Sequence, residues 1–187
     1  MMSDGVRKLI LVGAGVLVLL LAVGAALLPL AETTHAREMV GQLLLAAGIV
    51  ELLSVIGRRL HRPSAVVAAA ATALAGVRLV FGPPANFFAI LNVVILCQIV
   101  RSAALAFAAC RTHDRFQSWL IFSAAIDFVL AICLLAGLPV TYLVVGVFGP
   151  TPQIIATFAW VLALTFVATG VLLFAAAKHE TRSRTPV

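Results

Sequence analysis

Apolar side chains fill six long runs of this chain, at residues 9–30, 39–57, 63–82, 86–110, 116–138 and 153–177. Polar residues gather in the short stretches between them. Each run reaches 19 residues or more, the length a helix needs to cross the ~30 Å hydrocarbon core of a bilayer. None alternates polar and apolar positions as a membrane β-barrel strand would. Hydrocarbon offers the backbone no water, so each run must satisfy its own N–H and C=O groups, which a helix does. The pattern predicts an all-α integral membrane protein of six transmembrane helices in a single membrane domain.

Composition narrows the function. Of 187 residues, 63% are hydrophobic and 11% charged, with a mean hydropathy of +1.16. Six spans of ~20 residues use about 120 positions, leaving no stretch long enough for an appended soluble enzyme domain. The net charge of +6 would point to nucleic acid in a soluble protein. Here its placement says otherwise. Ten of the 13 Lys and Arg lie at the N-terminal edge (Arg7, Lys8), the second loop (Arg58, Arg59, Arg62), the fourth loop (Arg111, Arg115) and the tail (Lys178, Arg182, Arg184). Arg37 alone lies in the other three connections, while Arg78 and Arg101 fall within helices. Such a bias orients a membrane protein with its basic side inward, so both termini are expected in the cytoplasm. The expected partner is the lipid bilayer, not nucleic acid. Arg7 and Lys8 before an apolar run resemble a signal peptide, but 22 residues exceed its usual 7–15. The run also ends in Leu27-Leu28-Pro29-Leu30, without small residues for cleavage, so it is expected to remain as the first helix.

The chain repeats itself. Pro29, Pro84 and Pro139 stand 55 residues apart (84 − 29 and 139 − 84), each where an odd-numbered run closes. Proline cannot continue a helix without losing a hydrogen bond and biases its predecessor toward extended geometry. The implied unit is a helical hairpin running inside–outside–inside, used three times over residues 8–58, 62–111 and 116–178, with 179–187 as a short tail. The returning helices share local text: Ala47-Gly48-Ile49-Val50-Glu51-Leu52, then Cys97-Gln98-Ile99-Val100-Arg101-Ser102, then Ala168-Thr169-Gly170-Val171-Leu172-Leu173. Together with Trp119-Leu120 and Ile126-Asp127 in the fifth run, these segments resemble the HdeD-type family of small bacterial six-helix membrane proteins. The resemblance implies a place in the bacterial inner membrane and a link to acid resistance, and it carries over no catalytic residues or cofactor.

Charges inside the runs are the candidate chemistry, because an ionisable group in lipid costs ~2.5–3.5 kcal/mol on insertion scales. They are Glu51, Arg78, Arg101 and Asp127, whose formal charges sum to zero. At 1.5 Å per residue, Glu51 lies about 10 Å, Arg101 about 15 Å and Asp127 about 18 Å from the basic edge. Arg78 sits near the other edge, where its stem can snorkel. Gln98, Ser102, Ser123 and Ser54 keep the deep charges polar company. An ion pair between Arg101 and Asp127, with Glu51 as a third member, is expected to hold helices together. A proton path, or a bound lipid or cofactor head group, is the competing use of the same residues. Ala65, Ala69 and Ala73 at four-residue spacing favour close helix approach, which suits a central third helix or a contact with another subunit.

Other signals carry less. His35, His61, His113 and His179 all fall at ends, and Cys97, Cys110 and Cys133 lack metal-ligand spacing, so neither zinc nor haem is expected. The outer connection 141–153 contains Tyr142, Val144 and Phe148 and no charge, which suits a docking loop for a membrane partner or a second copy. The expected function is that of a non-enzymatic, stress-related or accessory membrane protein. The alternative is a small-solute or proton transporter using its intramembrane carboxylates.

Overall fold

The computed structural model describes residues 4–27, 36–58, 62–82, 87–113, 116–148 and 152–182. Side-chain surroundings are described for all of these except 4, 36–37, 87–88, 90, 138–148, 152–158 and 180–182. Each apolar run has become one helix: α1 (Asp4–Ala26), α2 (Ala36–Gly57), α3 (Arg62–Phe81), α4 (Phe87–Cys110), α5 (Phe116–Phe148) and α6 (Pro152–Arg182). All six are long and apolar enough to cross a membrane. Helix ends are marked by local chemistry. Pro63 and Pro152 sit in first turns, where their missing N–H costs nothing. At the end of α4, Thr112 closes the last turn with its amide to Ala109 O and its hydroxyl to Ala108 O.

The helices form a closed ring in chain order, each touching the next and α6 returning to α1. The tightest pairs are α1 with α6, α2 with α3, and α4 with α5. The packing unit is therefore offset by one helix from the sequence hairpin. Helices joined across the basic end pack closest, and the two arms of each expected hairpin pack more loosely. Small residues explain two of these pairs. A Cβ at Gly48 would collide with the Ala73 backbone, and one at Gly76 with the Leu45 backbone, so α2 and α3 meet with almost no side chain between them. Gly15 and Gly170 face each other between α1 and α6 with a less intimate approach, an added Cβ at either lying 3.2–3.3 Å from the other's carbonyl oxygen. Between α4 and α5 the Ser102 hydroxyl donates to Ala124 O at 2.9 Å.

The core lies inside the ring. Leu11, Val18, Leu44, Leu79, Val94, Leu162, Phe166 and Leu173 are buried, while Leu9, Leu20, Leu74, Phe81, Leu96 and Trp160 point outward, as lipid-facing positions should. A smaller cluster of Leu105, Phe116, Leu120, Leu172 and Ala176 seals the basic end between α4, α5 and α6. At that end Gly57 lies against Arg7 O, Arg62 Nε donates to Arg58 O, and the Phe116 ring meets His179 at 5.3 Å. The N-terminus of α1 and the C-terminus of α6 thus share the basic end.

Three expectations change. Pro139 does not close the fifth helix: α5 continues through it to Phe148, so Tyr142, Val144 and Phe148 are helical rather than a docking loop. The segment after Pro139 is strongly apolar, and one hydrogen bond lost to proline is tolerated where the remaining backbone groups can pair only within a helix. The surroundings of those three side chains lie outside the described residues, as do Pro29 and Pro84. Helix α6 likewise runs on through Lys178 to Arg182, where good helix formers precede the basic residues that favour a C-terminal turn. Finally, α3 is not central. It is one member of the ring, with Ala65 and Ala69 buried on its inner side and Val67 and Leu74 exposed.

Candidate functional site: a buried arginine held by five helices

The interior of the ring is occupied by a side chain rather than a helix. Arg101, on α4 and 3% exposed, extends into the bundle and is held by four other helices. From α2, Glu51 receives its Nη1 on both carboxylate oxygens, at 2.8 and 2.7 Å. From α3, Thr72 Oγ1 accepts from Nη1 at 2.6 Å; from α6, Thr169 Oγ1 accepts from Nη2 at 2.7 Å. From α5, Asp127 Oδ2 accepts from Nε at 3.4 Å, a longer contact. Among the described residues, α1 contributes no hydrogen bond to the arginine.

Why threonine serves here follows from its second hydrogen bond. Thr72 donates to Ala68 O, Thr165 to Val161 O and Thr169 to Thr165 O, each one turn back on its own helix. The hydroxyl hydrogen is thereby fixed, and the oxygen's free lone pair faces the cluster as an acceptor. Gln98, one turn before Arg101, uses the same device and donates its Nε2 to Thr165. Ser54 turns away, bonding Glu51 O on its own helix.

The structure thus brings together Glu51, Gln98, Arg101 and Asp127, the four intramembrane polar residues singled out in the sequence. It adds Thr72, Thr165 and Thr169, which sequence reasoning missed. One signal was available: Thr72 precedes Asp127 by 55 residues, the same interval that separates the prolines. Ser102 bonds the α5 backbone rather than the charges, and Arg78 stays apart. Arg78 is exposed near the end of α3, its guanidinium folded over Gly82. The expected charge balance therefore fails locally. Counted as ionised groups, the cluster holds two carboxylates against one guanidinium.

Its polar atoms are unevenly served. Asp127 Oδ1, Gln98 Oε1 and Ser123 Oγ are buried without a hydrogen-bond partner. A cavity beside Thr72, Gln98, Arg101 and Thr165 has only about 10 Å³ open to a water's centre, room for a single water and too small for a solute. A larger apolar groove, about 520 Å³, opens on the outer surface between α4 and α5, lined by Ala103, Ala106, Cys110, Ile121, Ala125 and Phe128. Among the described residues no group of His, Cys, Asp and Glu is arranged to hold a metal, and Cys97, Cys110 and Cys133 are unpaired thiols.

Searches against protein-family models, curated proteins and solved structures find no match to this chain.

Proposed function

We propose that this chain is a non-enzymatic, HdeD-like protein of the bacterial inner membrane, with both termini cytoplasmic, that serves as an accessory or structural subunit of a larger membrane assembly. A role in envelope stress, including acid resistance, is the setting that the family resemblance implies. One observation carries the reading: five helices converge on a single guanidinium that is almost completely buried, beside a cavity with room for one water. Each helix that leaves would strand a charge or hydroxyl in a low-dielectric interior, so the cluster acts as a lock on a rigid bundle. A carrier needs the opposite, a site whose occupancy and access change through a cycle. The surface such a lock presents to a partner helix is the alanine-lined groove between α4 and α5, since small residues let membrane helices approach closely.

The competing reading, a proton or small-solute carrier built on Glu51 and Asp127, draws on the unpartnered Asp127 Oδ1. A photo-crosslinking residue at Ala106, inside the groove, and another at Leu20, on the lipid-facing side of α1, separate the two when read beside proton flux in liposomes. Discrete crosslinking at Ala106 but not at Leu20, with no flux, fits the subunit. Flux that disappears in Asp127→Asn, with no crosslink at either position, refutes it.

A further inference from the structure

Among the described residues, the two carboxylates and one guanidinium inside the ring leave one negative charge with no second cation to answer it. Glu51, Arg101 and Asp127 are 6%, 3% and 0% exposed, so water does not screen the imbalance. An uncompensated charge so placed is among the most unfavourable arrangements a protein interior can hold, and it is relieved by neutralising the group. The counter-charge is not supplied by α3, whose one intramembrane cation, Arg78, is turned to the exterior near Gly82. Nor does α6 supply it, since it faces the cluster with the hydroxyls of Thr165 and Thr169.

We propose that the cluster is a proton-binding site, with one proton held at Asp127 Oδ1. The choice of Asp127 over Glu51 rests on geometry. Both Glu51 oxygens lie 2.7–2.8 Å from Arg101 Nη1, a doubly engaged carboxylate. Asp127 takes one hydrogen bond, at 3.4 Å through Oδ2, and its Oδ1 has no hydrogen-bond partner among the described residues. Ser123 Oγ, one turn earlier on the same buried side of α5, is also without a hydrogen-bond partner, so this hydroxyl does not donate to Oδ1 and does not stabilise a bare carboxylate there. Binding adds one solvent proton to the Asp127 carboxylate, giving the neutral acid, with no other bond made or broken. Among the described residues, the charged groups facing Asp127 are Arg101 from α4 and Glu51 from α2; Cys97 is a further titratable side chain of α4 at this level. A bare alkali ion is the poorer occupant. It needs several oxygens around it, whereas the cavity that touches the cluster lies on the Gln98 side and is not lined by Asp127.

Infrared spectroscopy of the full chain in phosphatidylcholine nanodiscs at neutral pH tests this directly. The expected spectrum contains a protonated carboxyl C=O band that moves in heavy water and shifts when aspartate is carboxyl-labelled with carbon-13. Asp127→Asn should lose the band and melt at or above the wild-type temperature, because the amide replaces a neutral acid of the same shape. Glu51→Gln should lose it too, since Arg101 and Asp127 then balance without a proton. The isotope shift needs no variant, so the proposal remains testable even if Asp127→Asn fails to fold. No aspartic acid band in the folded wild-type protein overturns the assignment. If stability then follows sodium or potassium concentration, an alkali ion is the counter-charge; if it does not, the charge is left bare.

Discussion

Gly48→Ala should loosen the bundle at the point where α2 and α3 come closest. The added methyl would sit against the backbone nitrogen and Cα of Ala73, and these atoms cannot swing aside as a side-chain tip would. The two helices must separate instead. Overpacking a well-fitted contact costs about 1–3 kcal/mol, and a backbone obstacle puts this site at the upper end. Separation also reaches the cluster, because Glu51 lies three residues beyond Gly48, and Thr72 four before Gly76, on the surfaces being pushed apart. A loss near 3 kcal/mol lowers the folding equilibrium constant by roughly a hundredfold. Gly76→Ala, which meets Leu45, should behave alike, and the double variant should cost clearly less than the sum, since the first substitution already opens the space needed by the second. Gly13→Ala is the control: nothing lies within 4 Å of its added methyl, so better helix propensity should leave stability unchanged or raised by up to about 1 kcal/mol. Reversible unfolding in mixed detergent measures all four. Backbone-to-backbone packing of α2 on α3 is refuted if Gly48→Ala matches Gly13→Ala, or if the two costly substitutions add strictly.

Two further outcomes follow from the same geometry. Truncating Arg101 to alanine strands the Glu51 carboxylate and should cost about 3–5 kcal/mol. Asp127→Ala, which leaves the Glu51–Arg101 pair in place, should cost less, and double-mutant cycles should show Arg101 coupled more strongly to Glu51 than to Asp127, matching contacts of 2.7 and 3.4 Å; equal couplings would refute that ranking. With native thiols replaced by serine, cysteines placed at His61 and Ser183 should react with an impermeant maleimide only in inside-out vesicles, and labelling from the outside would overturn the orientation.

The hydrophobic runs made the six helices legible, because twenty apolar residues in lipid leave the backbone little alternative to a helix. The charged members of the cluster were legible for a related reason: in so apolar a chain each buried charge stands out. The threonines were not, since a hydroxyl within Ala-rich or Val-rich text looks like ordinary filler until its lone pair is seen facing Arg101. Counting charge along the chain also misled. Arg78 was separable from Arg101 by its place near the helix edge, yet the sum of formal charges counted both, and only their surroundings show which carboxylates are compensated. Pro139 misled in the same way, because a residue that ends helices in water is carried within one among apolar neighbours.

The bonds around Arg101 also have an order in time. A chain made from its N-terminus has already produced Glu51 and Thr72 when α4 emerges, while Asp127 and Thr169 still lie ahead. The partners at 2.6–2.8 Å on Nη1 are the two made first. If insertion follows that order, the guanidinium meets a carboxylate that is already made, and the α2–α3 pair would offer it a partner before α5 and α6 exist. Moving that carboxylate downstream of Arg101 would leave the finished bundle's charge unchanged and remove the escort at the moment of insertion.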